Sequence, residues 1–175
     1  CWVKGSIEAC PVDGAFGLIF CAIDSFLHLT TDAAQRDALR HIHRLLRPDG
    51  CLALDLPTLA AWSDWQPGVR PLELLWSEQD SRGVTTAHFT TFRAEPATQT
   101  RHVTHIFEEI QPDGVSRRWP ATYEMRFIGR YELELLLREA GLRVTGLHGD
   151  YELGPLLPDS ERMIVLAGRA PHEEG

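Results

Sequence analysis

The sequence predicts an α/β fold whose strands are buried on both faces, interrupted by an antiparallel β-meander. Three observations carry that expectation. Two short apolar runs, Phe16-Gly17-Leu18-Ile19-Phe20-Cys21-Ala22-Ile23 and Cys51-Leu52-Ala53-Leu54-Asp55-Leu56, flank a helical pattern from Asp32 to Arg47, the texture of parallel strands covered by a helix. From about Leu72 to Phe127, four runs rich in Thr, Val, Phe, Tyr and Trp are separated by turn residues, as in strands joined hairpin to hairpin. After Arg130 the helix-and-strand texture returns.

The first strand is expected over Phe16–Ile23 and ends in the polar cluster Asp24-Ser25-Phe26-Leu27-His28. In the helix that follows, Asp32 reads as the N-cap with Gln35 three residues on, echoing a capping box. Ala38, Leu39, Ile42, Leu45 and Leu46 share one face, leaving His41 and His43 on the polar side. Pro48-Asp49-Gly50 reads as the turn that stops this helix before the strand Cys51–Leu56. The meander turns are expected at Asp80–Gly83, Ala94–Ala97 and Gln111–Gly114. Within the strand they bound, Thr86, His88, Thr90 and Phe92 share one face, and Ala87, Phe89 and Thr91 the other. A second helix over Arg130–Glu139 turns Leu133, Leu136, Leu137 and Ala140 inward and ends at Gly141. Leu142–Tyr151 and Arg162–Arg169 then read as two closing strands around a loop at Gly154–Ser160. The segments are therefore 1–57, a β insertion over 58–128, a closing portion over 129–170, and a tail over 171–175 expected to be disordered.

A net charge of −8 over 175 residues argues against a nucleic-acid partner or an anionic membrane surface, both of which require a basic footprint. No apolar stretch approaches the roughly 20 residues that span a bilayer, and no charged segment followed by an apolar core marks a signal peptide. Cys1, Cys10, Cys21 and Cys51 show neither CxxC spacing nor a His in zinc-ligand register, so no metal is expected. Cys21 and Cys51, set in apolar runs, read as small buried hydrophobes, and the expected compartment is a reducing cytoplasm. His88, His102 and His105 fall in meander strands as three unlinked histidines.

Three stretches in register, FGLIFCAIDSFLHL, ALRHIHRLLRPDGCLALDLP and RFIGRYELELLLREAGLRV, resemble the later portion of class I S-adenosylmethionine-dependent methyltransferases. The resemblance implies a Rossmann-like methyltransferase sheet, S-adenosyl-L-methionine as cofactor, and methyl transfer to a nitrogen or oxygen of a small molecule. It also implies that an insertion such as 58–128 covers the substrate or forms a homodimer contact. The glycine-rich loop that such proteins place after their first strand, where backbone amides hold the donor, has no counterpart here. The chain opens at Cys1-Trp2-Val3-Lys4-Gly5 as though cut inside the domain, so the sheet is expected to be N-terminally truncated.

Carried residue by residue, the resemblance gives Cys21, Ala22 and Ile23 backbone contacts to the cofactor. It places Ser6, Ile7 and Glu8 on the segment where an acid binds the adenine amino group, although Ser6 stands where that acid would be. His28 faces the acceptor as a general base or, alternatively, caps its loop. Asp24 and Asp55 lie at strand ends, where substrate groups are oriented; Asp55 alternatively caps the turn at Thr58. Tyr123, Arg126 and Tyr151 come back toward the pocket, Arg126 binding an acidic group or pairing with a carboxylate. An Asn/Asp-Pro-Pro-Tyr motif, carried by enzymes that methylate nucleic-acid bases, is replaced by Ala22-Ile23-Asp24-Ser25. A second reading is a non-catalytic methyltransferase-like module for binding or dimerisation. No dinucleotide fingerprint supports a dehydrogenase.

Overall fold

The computed structural model describes residues 2–62 and 67–171. Its elements in chain order are β1 (Phe16–Cys21), α1 (Asp32–Leu45), β2 (Leu46–Pro57), β3 (Gly68–Val69), β4 (Glu73–Gln79), β5 (Thr85–Glu95), β6 (Thr100–Ile110), β7 (Ser116–Arg126), α2 (Arg130–Glu139), β8 (Leu142–His148) and β9 (Arg162–Arg169). Short 3-10 turns occupy Ile7–Ala9 and Ser25–His28. Two compact units result, Cys1–Ser63 with Ile128–Gly175, and Asp64–Phe127. Residues 172–175 of the expected disordered tail lie outside the described residues.

In the first unit the sheet order is β1-β2-β9-β8, with β1 parallel to β2 and the other pairs antiparallel. The second apolar run forms its buried centre: Leu52, Leu54 and Leu56 of β2 are fully buried, as are Leu39 of α1 and Leu137 of α2. The first run, expected to be buried on both faces, instead leaves Phe16, Leu18 and Phe20 exposed on β1, an edge strand among the described residues. The cap of helix α1 lies one residue earlier than expected. Thr31, not Asp32, is the N-cap, its Oγ1 accepting from the Ala34 N–H at 3.1 Å, and Gln35 is fully buried rather than part of a capping box. The helix also stops sooner than expected, at Leu45, because Leu46 already pairs with Phe16 as the first residue of β2.

Pro48-Asp49-Gly50 is therefore strand with a register slip against β1 rather than a turn. Gly50 is required there: a Cβ would stand 2.8 Å from the Phe16 carbonyl oxygen. At the end of α2, Gly141 adopts φ +79° beside His43, the left-handed stop expected of it. His41 and His43 are not simply solvated. His41 Nε2 lies 3.1 Å from the Cys10 carbonyl, and Arg169 Nε donates to His43 Nε2 at 3.2 Å. Strand β8 ends at His148, three residues early, because Asp150 Oδ1 accepts from the Gly154 N–H at 2.7 Å and closes a turn. Of the two strand cysteines, Cys21 is buried and Cys51 only half-buried.

The second unit is a five-stranded antiparallel sheet, order β3-β5-β6-β7 with β4 also paired to β5. Its four long strands are the four runs read from the sequence; the two-residue β3 was not anticipated. Asp80 Oδ1 accepts from the N–H groups of Arg82 and Val84, and Asp113 Oδ1 from that of Val115, which makes both sites turns of the Asx kind. The middle turn is displaced: Ala94 and Glu95 remain in β5, and Gln99 takes the left-handed position at φ 58°.

Among the described residues, β1 is paired on one side only, and its exposed apolar side chains Leu18 and Phe20 retain 58% and 67% of their accessible surface. An edge of that kind is a template for pairing with another chain. The 175-residue chain should therefore self-associate, and Leu18→Lys should shift it toward monomer in sedimentation velocity. A wild-type chain that sediments as a monodisperse monomer contradicts this.

Candidate functional site

At the carboxyl ends of β1 and β2 the backbone is strained. The expected strand stops at Cys21, and Ile23 and Asp24 take left-handed φ values of 50° and 60°, a conformation that is costly for a β-branched residue. Ile23 is also 79% exposed. Asp55 of β2 holds this turn. Its Oδ2 accepts from the Ile23 N–H at 2.9 Å, and its backbone carbonyl accepts from the Asp24 N–H at 3.2 Å.

The same carboxylate gathers two further segments. Oδ2 accepts from the Tyr151 hydroxyl at 3.0 Å, and Oδ1 accepts from Arg162 Nε at 2.9 Å and from Arg162 Nη2. Arg162 Nη2 also forms an ion pair with Asp24 Oδ1 at 2.7 Å. One carboxylate thus ties together the turn after β1, the loop after β8 and the first residue of β9. The alternative role for Asp55, capping the turn at Thr58, is not realised. Thr58 caps that turn itself, with its Oγ1 accepting from Ala60 and Ala61 and donating to the Ser160 carbonyl.

Charge follows geometry. Burial alone would raise the Asp55 carboxyl, but the hydrogen bonds from Arg162, the Ile23 N–H and Tyr151, with the guanidinium charge, together hold it below the ordinary 3.8. The Tyr151 phenol is raised above 10, first by its bond to Asp55. Burial works against the Arg162 cation, yet the bonds to Asp24 and Asp55 outweigh it and keep the guanidinium charged.

The structure brings together Asp24, Asp55 and Tyr151 of the residues expected from the sequence, and adds Arg162, which was missed. Its only sequence signal is a cation opening the last apolar run, and nothing along the chain links it to Asp55, 107 positions away. His28 ends the 3-10 turn Ser25–His28 and is exposed, while its neighbours Phe26 and Leu27 are fully buried and anchor the turn. Ala22 is exposed, and Cys21 is buried, which pushes its thiol up to about 11 and leaves it inert.

Ser6, Ile7 and Glu8 lie elsewhere, on the 3-10 turn packed along α1. There Ser6 Oγ donates to Glu8 Oε2 at 2.5 Å, so the acid is engaged by its own neighbour. Ile7 shares a concavity of about 390 Å³ with Leu18, Phe20, Ile42 and Leu45. Tyr123 and Arg126 belong to β7 of the second unit. Tyr123 bonds His105, and Arg126 Nη2 donates to the Gln99 side-chain amide oxygen, Oε1, at 2.8 Å. A concavity of about 760 Å³ is lined by Pro48, Gly141, Arg143 and Arg169 at the opposite end of the sheet from Asp55. Among the described residues no group of three His, Cys, Asp or Glu side chains is placed to hold a metal, and no helix is long and apolar enough to cross a membrane.

No protein-family model and no curated protein matches the sequence. Solved structures do match its fold. The CcbJ methyltransferase from Streptomyces caelestis is similar at TM-score 0.76 and 20% identity, over 95% of this chain and 62% of that protein. An S-adenosylmethionine-dependent methyltransferase from Clostridium acetobutylicum is similar at TM-score 0.77 and 14% identity, over 95% and 63%. The sugar N-methyltransferase KedS8 from Streptoalloteichus is similar at TM-score 0.69 and 14% identity, over 95% and 61%. The chain thus has the Rossmann-like fold of class I S-adenosylmethionine-dependent methyltransferases and spans less than two thirds of the length of each of these proteins.

Arg162→Met should destabilise the chain by about 2–3 kcal/mol, less than the loss at a wholly buried pair because Arg162 keeps some solvent contact; urea unfolding measures it. The sign of the pH dependence follows from a depressed carboxyl. Asp55 stabilises the fold fully above pH 3.8, its ordinary value, and that stabilisation fades as pH falls further, through the lower folded value. Asp55→Asn should accordingly flatten the stability profile below pH 4.

Proposed function

We propose that this chain forms the later part of an enzyme that transfers a methyl group from S-adenosyl-L-methionine to a nitrogen or oxygen of a small molecule. The observation that supports it most is the Asp55–Arg162–Tyr151 cluster, which fixes the strained Ile23–Asp24 turn at the carboxyl ends of β1 and β2, the place where open α/β sheets bind ligands. The methyltransferase structures that share the fold include a sugar N-methyltransferase, KedS8, and the amino pentose methyltransferase CalS10, which favours a small polar acceptor.

The donor fits the residues present on one side only. The buried Cys21 backbone and the exposed Ala22 and Ile23 would border it, and the Glu8 carboxylate would reach the adenine only on leaving Ser6. A bound sulfonium supplies an electrophilic methyl group for in-line displacement, so the protein's work is alignment and proton removal. The turn anchored by Phe26 and Leu27 presents His28 to take the acceptor's proton. Asp24 and Asp55, with Tyr151 and Arg162, hold the strand ends that orient the acceptor. The exposed Leu74, Leu75, Trp76 and Trp119 of the second unit favour a homodimer through the insertion, and unpaired thiols at Cys10, Cys21 and Cys51 agree with a cytoplasmic setting.

A second reading, a methyltransferase-like module for binding or dimerisation without catalysis, draws on one observation: the Glu8 carboxylate is engaged by its neighbour Ser6. The two readings separate experimentally. For the 175-residue chain alone, calorimetric titration should give no saturable binding of S-adenosylmethionine at micromolar concentration. In the enzyme containing this chain, labelled methyl should pass from the donor to amino-sugar acceptors. There, His28→Ala should lower turnover roughly 100-fold or more with donor affinity nearly unchanged, and erase the acidic limb of the pH–rate profile. Normal turnover in that variant assigns His28 to loop structure, and no transfer by the parent enzyme favours the binding module.

A further inference from the structure

The second unit holds a chain of titratable side chains that the methyl-transfer reading leaves largely unused. His88 Nε2 of β5 lies 2.8 Å from His105 Nδ1 of β6, and His105 Nε2 lies 2.9 Å from the Tyr123 hydroxyl of β7. Two of the histidines read as unlinked are thus joined in series with a phenol. Alternation and register put all three on one sheet face, because His88 pairs with Phe107, and Val103 with Tyr123, while His105 stands two residues from each partner.

Two nitrogens 2.8 Å apart share one proton, so the neutral chain has only two ordered arrangements. In one, His88 donates to His105 and His105 to the phenol oxygen. In the other, the phenol donates to His105 Nε2, His105 Nδ1–H donates to His88 Nε2, and His88 keeps its remaining proton on Nδ1. In this second arrangement a proton arriving at the Tyr123 oxygen moves the whole series on by one step.

The two ends of the chain differ in environment. Tyr123 keeps 36% of its accessible surface. His105, in the middle, is held below the ordinary imidazole value by burial and by the His88 charge, so it passes a proton on more readily than it keeps one. His88 stacks on Phe107 at 4.3 Å and 11° and meets Trp76 edge-on at 5.7 Å. On the neighbouring row of the same face, Glu78 and Glu109 lie opposite Thr86, with Arg117 beyond Glu109; on the far side are Glu73, opposite Thr90, and Arg101, which stacks on Phe92. The row beside His88 is therefore net acidic.

We propose that Tyr123, His105 and His88 form a proton relay that takes a proton from the hydroxyl or ammonium group of an aromatic ligand at Tyr123 and stores it on His88. The balance is closed. The ligand's O–H or N–H bond breaks and leaves its electron pair on the ligand, the Tyr123 oxygen gains that proton as its own passes to His105 Nε2, and the Nδ1 proton of His105 passes to His88. The product is a deprotonated ligand and a His88 imidazolium, and no oxidant or metal is required. Trp119, 41% exposed and stacked with Phe107, lies on the same face of β7 across Ala121 from Tyr123 and offers the ligand ring an aromatic surface.

Nitrogen-15 NMR of the imidazole rings in the 175-residue chain tests this. At alkaline pH His105 should carry its proton on Nδ1 and His88 on Nδ1. On acidification the first proton should appear on His88, at least about one pH unit before His105 charges. Tyr123→Phe should switch His105 to the Nε2–H tautomer with the strands intact. With 4-nitrophenol as probe, the wild-type chain should raise phenolate absorbance and His88 imidazolium signal together, and Tyr123→Phe should abolish both. A first proton on His105, independent titration of the two rings, or no phenolate with the wild-type chain overturns the proposal.

Discussion

The Asp55 carboxylate is the constraint on which the candidate site depends. Its two oxygens and its backbone carbonyl accept bonds from a turn after β1, a tyrosine after β8 and an arginine at the start of β9. Without it, Ile23 would have no reason to remain in a left-handed conformation with its side chain in solvent. A nearly buried carboxylate is stable only when its lone pairs are satisfied. The site's geometry and the stability of the sheet end are therefore one arrangement, not two.

This coupling explains why strain concentrates where the parallel strands end. The antiparallel pairing of β2 with β9 places Pro57 opposite Arg162 and Asp55 opposite Ile164, so the guanidinium reaches the carboxylate diagonally. The same guanidinium neutralises Asp24, which would otherwise repel Asp55 across the turn. The cluster carries two carboxylates against one cation, leaving a residual negative charge at the end of the sheet.

The second unit follows a different logic. A single antiparallel layer has little interior, and its stability comes from cross-strand pairs: the row Trp76, His88, Phe107 and Trp119, and the Glu108–Arg118 pair with Glu108 nearly buried. A face rich in rings and imidazoles is unusual for a sheet that only spaces other elements apart. Its polar members are joined in series rather than individually solvated, which gives the layer a collective protonation state.

Much of the architecture was legible along the chain because it rests on local periodicity. The runs at Phe16 and Cys51, the amphipathic pattern of α1, the inward leucines of α2 and the Asp-Gly turns of the meander each act within a few residues, and the elements appear close to where the sequence puts them. Of the errors, one was local, Thr31 replacing Asp32 as cap. The other was not, since Leu46 left the expected helix and Gly50 the expected turn to join a strand beside Phe16 of β1. What the sequence could not reveal is which distant groups meet. Arg162 finds Asp55 and Asp24 through sheet order, His88 finds His105 through strand register, and Glu8 turns to Ser6 rather than outward. Propensity and period decide the elements from neighbours in sequence, whereas a salt bridge or a proton chain between strands depends on register and topology, which only the folded chain defines.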